Sequence, residues 1–212
     1  MQSRASNITD VANKVLGLLG ENPVTDITAN PPDTKAGIKL KVHLYDSIDE
    51  VQGSFYWQEL ITTETITADA TDHYDGRKRY ALPADCLRPI GVRFQGGIDM
   101  PQTTYTRLTQ ESDEYYDVES NFLITSAESV DVLYVRREDD PTLWTSELLN
   151  TVIHCSAVNA GQSITDDPQI VSNILQKYEQ LVKPRSKLLQ SKYKTNQRQL
   201  PRGFSYYQAR RY

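Results

Sequence analysis

The sequence predicts an α+β fold, in which a four-helix bundle is interrupted by a small antiparallel β lobe and followed by an extended C-terminal arm. Three observations predict it. Apolar residues recur with a helical period near both ends of the 212-residue chain. Short segments rich in β-branched residues, separated by turn signals, lie between them. The last thirty residues combine basic and aromatic side chains and contain no acidic residue.

These observations divide the chain into three parts. The helical bundle is predicted from 1–53 together with 138–194, the inserted β lobe from 54–137, and the arm from 195–212. A chain of this length buries roughly 70% of the surface that its unfolded form exposes, enough for one good core or two small ones. Charged residues at 24% and apolar residues at 38% are typical of a soluble globular protein.

Two helices are predicted before the β lobe. Residues 8–19 place apolar side chains at helical spacing, with Asn7 or Thr9 suited to cap the start and the following glycine to end the helix. A loop rich in Pro, Asp and Thr comes next. The second helix is predicted over 35–52 and is expected to be closed by Gly53.

The β lobe is predicted from six short segments whose composition favours strands. They are 61–67, 79–82, 89–95, 104–108, 121–125 and 130–136. Turn signals such as Asp75-Gly76 and Gly96-Gly97 separate them. Short strands with hairpin-like punctuation predict a small antiparallel sheet or sandwich inserted between helices.

Both helices predicted after the lobe begin with the sequence Asp-Asp-Pro. Asp139-Asp140-Pro141 is predicted to start the third helix, because Pro suits the first helical turn. This helix is predicted to run to about Ile164 and to include Leu143 on its apolar face. Asp166-Asp167-Pro168 starts the fourth helix, which Pro184 is expected to kink or end. Each of the four helices carries an apolar stripe, so the simplest packing buries the stripes against one another in a bundle.

Formal charge is distributed unevenly along the chain. Residues 183–212 hold nine of the 23 Lys and Arg and none of the 28 Asp and Glu, so they carry +9 whereas residues 1–182 carry −14. Such asymmetry indicates that one end of the chain meets a partner. Aromatic residues among the arginines, broken by Pro and Gly, predict an arm that packs into a partner protein. The predicted binding residues of this arm are Arg198, Arg202, Phe204, Tyr206, Tyr207, Arg210, Arg211 and Tyr212.

No catalytic, cofactor or metal site is predicted. His154 and Cys155 are neighbours on a helix and point about 100° apart, so they cannot form a nucleophile–base pair with each other. The other histidines, His43 and His73, have no Cys or His at zinc-ligand spacing, and the motifs of phosphate-binding loops and hydrolase nucleophiles do not occur. Cys86 and Cys155 lack a CxxC spacing and are predicted to be reduced and buried.

Charged clusters leave two other function classes open. Two clusters of carboxylates lie at 111–119 and 138–140. Carboxylates hydrolyse glycosides in glycosidases and bind divalent cations. A solvated loop explains the first cluster more simply, and a helix N-terminus, which favours negative charge, explains the second. Arg77-Lys78-Arg79 and Arg136-Arg137 are able to touch phosphate, although an exposed turn is the simpler interpretation of the first. The alternatives are therefore a nucleic-acid-binding protein that uses its basic tail and a carboxylate-based cell-wall hydrolase.

A family resemblance rests on several segments in a fixed order. Residues 15–24 (VLGLLGENPV), 80–87 (YALPADCL) and 130–136 (VDVLYVR) resemble successive elements of the head-to-tail adaptors of short-tailed phages, the tail tubular protein A family. An aromatic strand, here 55–57 (FYW), and a Pro-led helix pair are further elements of that layout. The resemblance covers residues 8–190 in order.

This resemblance implies a structural virion protein without enzymatic activity. It implies a helical bundle with a β lobe, a ring of about twelve copies below the dodecameric portal protein, and a C-terminal arm that docks onto the portal. The other implied partners are the next tail or nozzle protein and genomic DNA, which passes through without specific binding. The expected location is the tail or neck of the virion, after assembly in the host cytoplasm. No apolar stretch approaches the ~20 residues of a membrane span, and the N-terminus lacks the apolar core of a signal peptide, so no membrane partner is expected.

Overall fold

The computed structural model describes residues 5–69, 73–95, 106–107, 117–119 and 121–182. These residues form an α+β fold of helices and small sheets, which confirms the predicted fold class at that level. The helices are α1 (Ile8–Leu18), α2 (Lys35–Ser54), α3 (Ser146–Ile164) and α4 (Pro168–Lys177). The strands are β1 (Ile61–Ile66), β2 (Lys78–Ala81), β3 (Cys86–Gln95), β4 (Thr106–Arg107), β5 (Asp117–Glu119), β6 (Phe122–Thr125) and β7 (Ser129–Arg136).

The described residues divide into two compact units. The helical unit comprises 5–61 and 135–182, and the sheet unit comprises the described residues between 62 and 134. Within the helical unit, α3 packs against each of α1, α2 and α4. Within the described part of the chain, none of the helices combines the length and the apolar character that a membrane span requires.

Helix α1 begins and ends as its sequence predicts. The Asn7 side chain accepts a hydrogen bond from the Asp10 N–H at 2.9 Å, which caps the first turn. Gly20 adopts a φ of +77°, which favours glycine, and the Glu21 N–H donates to the Leu16 carbonyl at 2.9 Å. This pair of features is the Schellman ending of an α-helix.

Helix α2 runs through Gly53 to Ser54, so the prediction that Gly53 closes the helix is wrong. Two contacts hold the last turn. The Trp57 Nε1–H donates to the Val51 carbonyl at 3.0 Å. The Gln52 amide, which is fully buried, donates to the Glu138 carbonyl at 2.8 Å and accepts from the Glu138 N–H at 3.0 Å. These contacts keep Gly53 inside the helix although glycine has a low helix propensity.

The aromatic segment 55–57 is not a strand, which corrects the expectation drawn from the family resemblance. It leads instead into a 3₁₀ turn, Gln58–Leu60. The rings of Phe55 and Trp57 meet edge to face with centroids 5.7 Å apart, and both side chains are buried. Burial of the two rings against each other gives this segment a role in the helical core.

Two glycines in the first two helices are expected to respond in opposite ways to alanine. A Cβ at Gly37 would overlap Val24 Cγ1, so Gly37→Ala should lower the free energy of unfolding by about 1–3 kcal/mol through overpacking. A Cβ at Gly17 meets nothing within 4 Å, so Gly17→Ala should raise that free energy by roughly 0.5 kcal/mol through backbone entropy. Denaturant unfolding of both variants measures the difference, and equal effects would refute the packing at Gly37.

Helix α3 begins at Ser146, five residues after the predicted start at Pro141. Pro141–Leu143 forms a separate 3₁₀ turn, because the Trp144 Nε1–H donates to the Glu138 carbonyl at 3.0 Å and holds the backbone of Trp144 extended. Thr145 then caps α3 by accepting from the Leu148 N–H at 3.2 Å. As a result Leu143 is 57% exposed and does not belong to the apolar face of α3, contrary to the prediction.

Helix α4 begins as predicted, with Asp167 accepting from the Gln169 N–H at 2.8 Å and Pro168 in the first turn. A π-helical turn, Tyr178–Val182, continues it. Pro184, which is predicted to kink or end the helix, lies outside the described residues.

The strands form two sheets. Their orders are β1-β7-β3-β4 and β2-β6-β5. β2 and β5 both pair antiparallel with β6, and β4 pairs antiparallel with β3. All six predicted strands are present with shifted bounds. β5 is an additional strand at the end of the acidic stretch 111–119, which the sequence suggested was a solvated loop. Its three residues are too few to show a strand period, so pairing with β6 defines it.

The core of the sheet unit draws side chains from both sheets. It contains Ile66, Tyr80, Val92, Leu123, Ala127, Val130, Val132 and Tyr134. Val130, Val132 and Tyr134 alternate along one face of β7 and all three belong to this core. The Tyr80 hydroxyl donates to the Ala127 carbonyl at 2.7 Å, which satisfies the polar end of a fully buried side chain.

The basic run at 77–79 is not an exposed turn, contrary to the simpler interpretation of its sequence. Lys78 and Arg79 belong to β2 and are half-buried. The Arg79 guanidinium lies 4.0 Å from the centre of the Phe122 ring, a cation–π contact. Arg77 pairs with Asp75 at 2.7 Å. Local contacts in the sheet unit therefore engage two of these three basic side chains.

Candidate functional site

The residues predicted to bind a partner protein fall outside the described residues. They are Arg198, Arg202, Phe204, Tyr206, Tyr207, Arg210, Arg211 and Tyr212. Glu111, Asp113 and Glu114 of the predicted acidic cluster also lie outside them. The candidate site that the structure does describe is in the helical unit.

This candidate site is a groove between α1, α3 and α4 with a volume of about 320 Å³. The side chains that define the groove are Lys14, Leu18, Leu149, Ile153, His154 and Lys177. Its volume is at the lower end of the range of small ligand pockets, which is about 300–1,000 Å³. The helices contribute apolar side chains to its wall and one lysine from each of α1 and α4.

His154, which lines this groove, has a buried ring nitrogen with no hydrogen-bond partner among the described residues. The side chain is only 3% exposed, and Nδ1 lies 2.8 Å from the Asn150 carbonyl, to which it donates when it carries the proton. Nε2 is buried and has no hydrogen-bond partner among the described residues. Burial lowers the pKa of His154 below its usual value, and the positive charge of Lys177 acts in the same direction. A neutral His154 that donates through Nδ1 therefore keeps Nε2 as a buried acceptor.

The two lysines give this groove a positive charge, although the part of the chain that contains it is acidic overall. Residues 1–182 carry a formal charge of −14, whereas Lys14 and Lys177 both line the groove. An apolar wall with two ammonium groups suits an apolar side chain that has a carboxylate beside it. Sequence reasoning placed His154 on a helix but missed the groove, because nothing in the spacing of Lys14 and Lys177 shows that α1 and α4 approach the same part of α3.

A buried ion pair links the three adjacent strands β1, β7 and β3. The Asp131 side chain is 2% exposed and accepts from the Thr65 hydroxyl at 2.6 Å and from Arg93 Nε at 2.9 Å. Arg93 Nη2 donates to the same carboxylate. Because each partner comes from a different strand, this network fixes the pairing of the sheet and has the character of a structural contact.

A second polar cluster surrounds the hydroxyl of Tyr134. Its oxygen lies 3.0 Å from Glu64 Oε2 and 3.1 Å from Asp85 Oδ1, and its single proton is donated to one carboxylate at a time. Burial, followed by these two hydrogen bonds, raises the pKa of Tyr134 well above its usual value. The sequence contained no signal for this cluster, since its members are 21 or more positions apart.

Both cysteines are free thiols, but only one of them is buried as predicted. Cys155 is buried, whereas Cys86 is half-buried. Burial raises the pKa of each thiol to about 11, so both are protonated at neutral pH. Across the described ranges, no group of three or more His, Cys, Asp or Glu side chains is placed to hold a metal ion.

No protein-family model matches the chain, and neither does any curated protein. The resemblance to phage adaptors stays a prediction from the order of the sequence segments, among them 15–24, 80–87 and 130–136.

Proposed function

We propose that the chain is a structural virion protein: a head-to-tail adaptor that forms a ring below the portal protein, joins the capsid to the tail and lines the DNA channel. The charge distribution carries this proposal. Residues 1–182 carry −14, and residues 183–212 carry +9 together with five aromatic side chains. Such a chain has one part built to meet an acidic protein surface and another that repels nucleic acid.

The arrangement of the helices supports this function. α3 contacts α1, α2 and α4, which is compatible with the four-helix bundle expected of an adaptor. We propose that this bundle is the body of the ring subunit and that the sheet unit is its inserted lobe. The proposed location is the tail or neck of the virion, with the portal and the next tail or nozzle protein as partners.

An acidic body suits a channel for DNA. A duplex that binds to the wall cannot slide, so like charge on the wall favours passage. The proposed ring of about twelve copies multiplies this effect around the duplex. DNA is then a passing cargo without specific binding, and no chemical step is needed from the protein.

A second candidate function is nucleic-acid binding by the tail. Nine basic residues in 183–212, interleaved with aromatic ones, are the residue types that bind phosphate and stack on bases. The charge of −14 on the rest of the chain opposes this role.

Competition between the two candidate partners distinguishes these functions. The full chain is expected to be captured by portal protein of the same phage at physiological salt, whereas capture by duplex or single-stranded DNA should be weak and should disappear as salt rises. Capture by DNA at physiological salt, without capture by portal protein, would favour the nucleic-acid-binding function and overturn the adaptor proposal.

A further inference from the structure

The outer face of α2 carries a row of two exposed apolar side chains and a carboxylate, preceded by the exposed Lys35, and nothing in the described part of the chain covers this row. Ile38, Val42 and Asp46 recur every four residues and so share one face of the helix, which we call the outer stripe. Val42 is 66% exposed and Ile38 is 43% exposed, and Asp46 is exposed as well. Among the described residues, Ile38 and Val42 form the only pair of exposed large apolar side chains on neighbouring turns of one helix.

We infer that the outer stripe of one copy of this chain docks into the α1/α3/α4 groove of a second copy. The groove offers Leu18, Leu149 and Ile153 to the apolar side chains of the stripe. Lys177 offers positive charge to the Asp46 carboxylate, and Lys14 adds to the positive charge of the groove. The contact therefore pairs apolar side chains with apolar side chains and the Asp46 carboxylate with Lys177.

The unpartnered nitrogen of His154 supports the assignment of the groove as a contact surface. A buried polar atom without a hydrogen bond costs about 1–3 kcal/mol, so such atoms usually have a partner in the functional state.

The groove and the outer stripe lie on different sides of the helical unit. On α3, Cys155 and Asn159 face α2, since the Asn159 amide donates to the Ser47 hydroxyl at 3.0 Å. Successive helical residues turn by about 100°, which places Asn150 and Ile153 of the groove on the opposite side of α3. The outer stripe, in turn, lies on the side of α2 away from its buried residues Leu44 and Ile48.

A contact between two different sides of one subunit is head-to-tail. Each copy then uses its outer stripe toward one neighbour and its groove toward the other, and repetition closes a ring when the rotation between copies permits. A groove of about 320 Å³ accommodates only a few side chains, so a single contact is weak. This inference rests on the proposed ring and names the surfaces through which neighbouring copies meet.

Cross-linking between isotopically distinct copies tests the contact directly. Full-length chain labelled with ¹⁵N is mixed with unlabelled chain at millimolar concentration and treated with a carbodiimide, which condenses an amine with a carboxylate into an amide. Mass spectrometry should find mixed-isotope peptides that join Lys177 to Asp46. If every link found between these residues lies within a single copy, or if none is found, the inference is overturned.

Val42→Arg should reduce the mixed-isotope link by about tenfold or more, because a positive charge that faces Lys14 and Lys177 replaces the apolar side chain expected to enter the groove. Leu143→Arg is the matched control: Leu143 is exposed to a similar degree and lies outside both surfaces, so its link should stay at the wild-type level. Circular dichroism confirms that both variants fold. Equal loss of the link in the two variants would contradict the assignment of the stripe.

A charge exchange tests the pairing of Lys177 with Asp46. Lys177→Glu alone should weaken the association of copies, and adding Asp46→Lys in the same chain should restore it, with the amide now joining Glu and Lys at the exchanged positions. Failure of the second change to restore the link would overturn the pairing. A chain that binds the portal but lacks this link would refute the contact between copies and leave the adaptor function standing. A chain that forms the link but does not bind the portal would support the contact and refute the adaptor function.

Discussion

Removal of residues 196–212 is expected to abolish attachment of the chain to the portal protein while leaving its melting temperature nearly unchanged. In the described part of the chain the buried core residues lie between Ala5 and Val182, and we expect residues 196–212 to have too little apolar surface to add to this core. Aromatic and Arg side chains dominate the energies of many interfaces, often at about 2 kcal/mol or more each. With about twelve arms on one ring, a modest affinity of each arm is multiplied through effective concentration.

A pull-down with portal protein measures this effect, and two full-length variants divide it by residue type. One replaces Phe204, Tyr206, Tyr207 and Tyr212 by Ser, which keeps all the charge. The other replaces Arg198, Arg202, Arg210 and Arg211 by Gln, which keeps the aromatic rings. Both should weaken attachment if the arm packs into pockets lined by carboxylates. Attachment of the truncated chain at wild-type strength would place the docking surface in the described units instead.

Asp131→Ala is expected to lower the free energy of unfolding of the sheet unit substantially, because it removes one member of a buried ion pair. The change leaves Arg93 without its carboxylate partner and Thr65 without its acceptor, and removal of one member of a buried pair typically costs 3–5 kcal/mol. We expect about 3 kcal/mol, the lower end of this range, because the Arg93 side chain is 38% exposed and regains some hydration.

Denaturant unfolding followed by circular dichroism provides the measurement, and Glu128→Ala is its control. Glu128 is exposed in the turn before β7, so its removal should change the free energy of unfolding by no more than about 0.5 kcal/mol. Asp131→Asn, which keeps the side-chain volume and removes the charge, should fall between the two. An Asp131→Ala variant as stable as Glu128→Ala would mean that the ion pair contributes nothing to the sheet.

The sequence predicted most elements because their signals are local. Asn7 and Asp167 cap helices through contacts two or three residues away, and the alternation of Val130 and Val132 is visible within one strand. The late start of α3 was missed since it depends on Trp144, whose ring nitrogen bonds to the Glu138 carbonyl and holds the preceding turn apart from the helix.

The candidate site was not predictable in the same way. Lys14, His154 and Lys177 lie on three helices, and only tertiary packing brings them to one groove. The ion pair of Arg93 with Asp131 likewise joins residues 38 positions apart, and a charged residue inside a strand gives no indication of its partner. Long-range contacts of this kind leave no periodic signal in a single sequence.

Electron microscopy of the full chain mixed with portal protein of the same phage tests the adaptor function most directly. The proposed function predicts a ring of copies on one end of the portal, coaxial with its channel, with density from each copy reaching onto the portal surface. Particles in which the portal remains bare while the chain stays monomeric, or a single copy bound away from the channel axis, would contradict it.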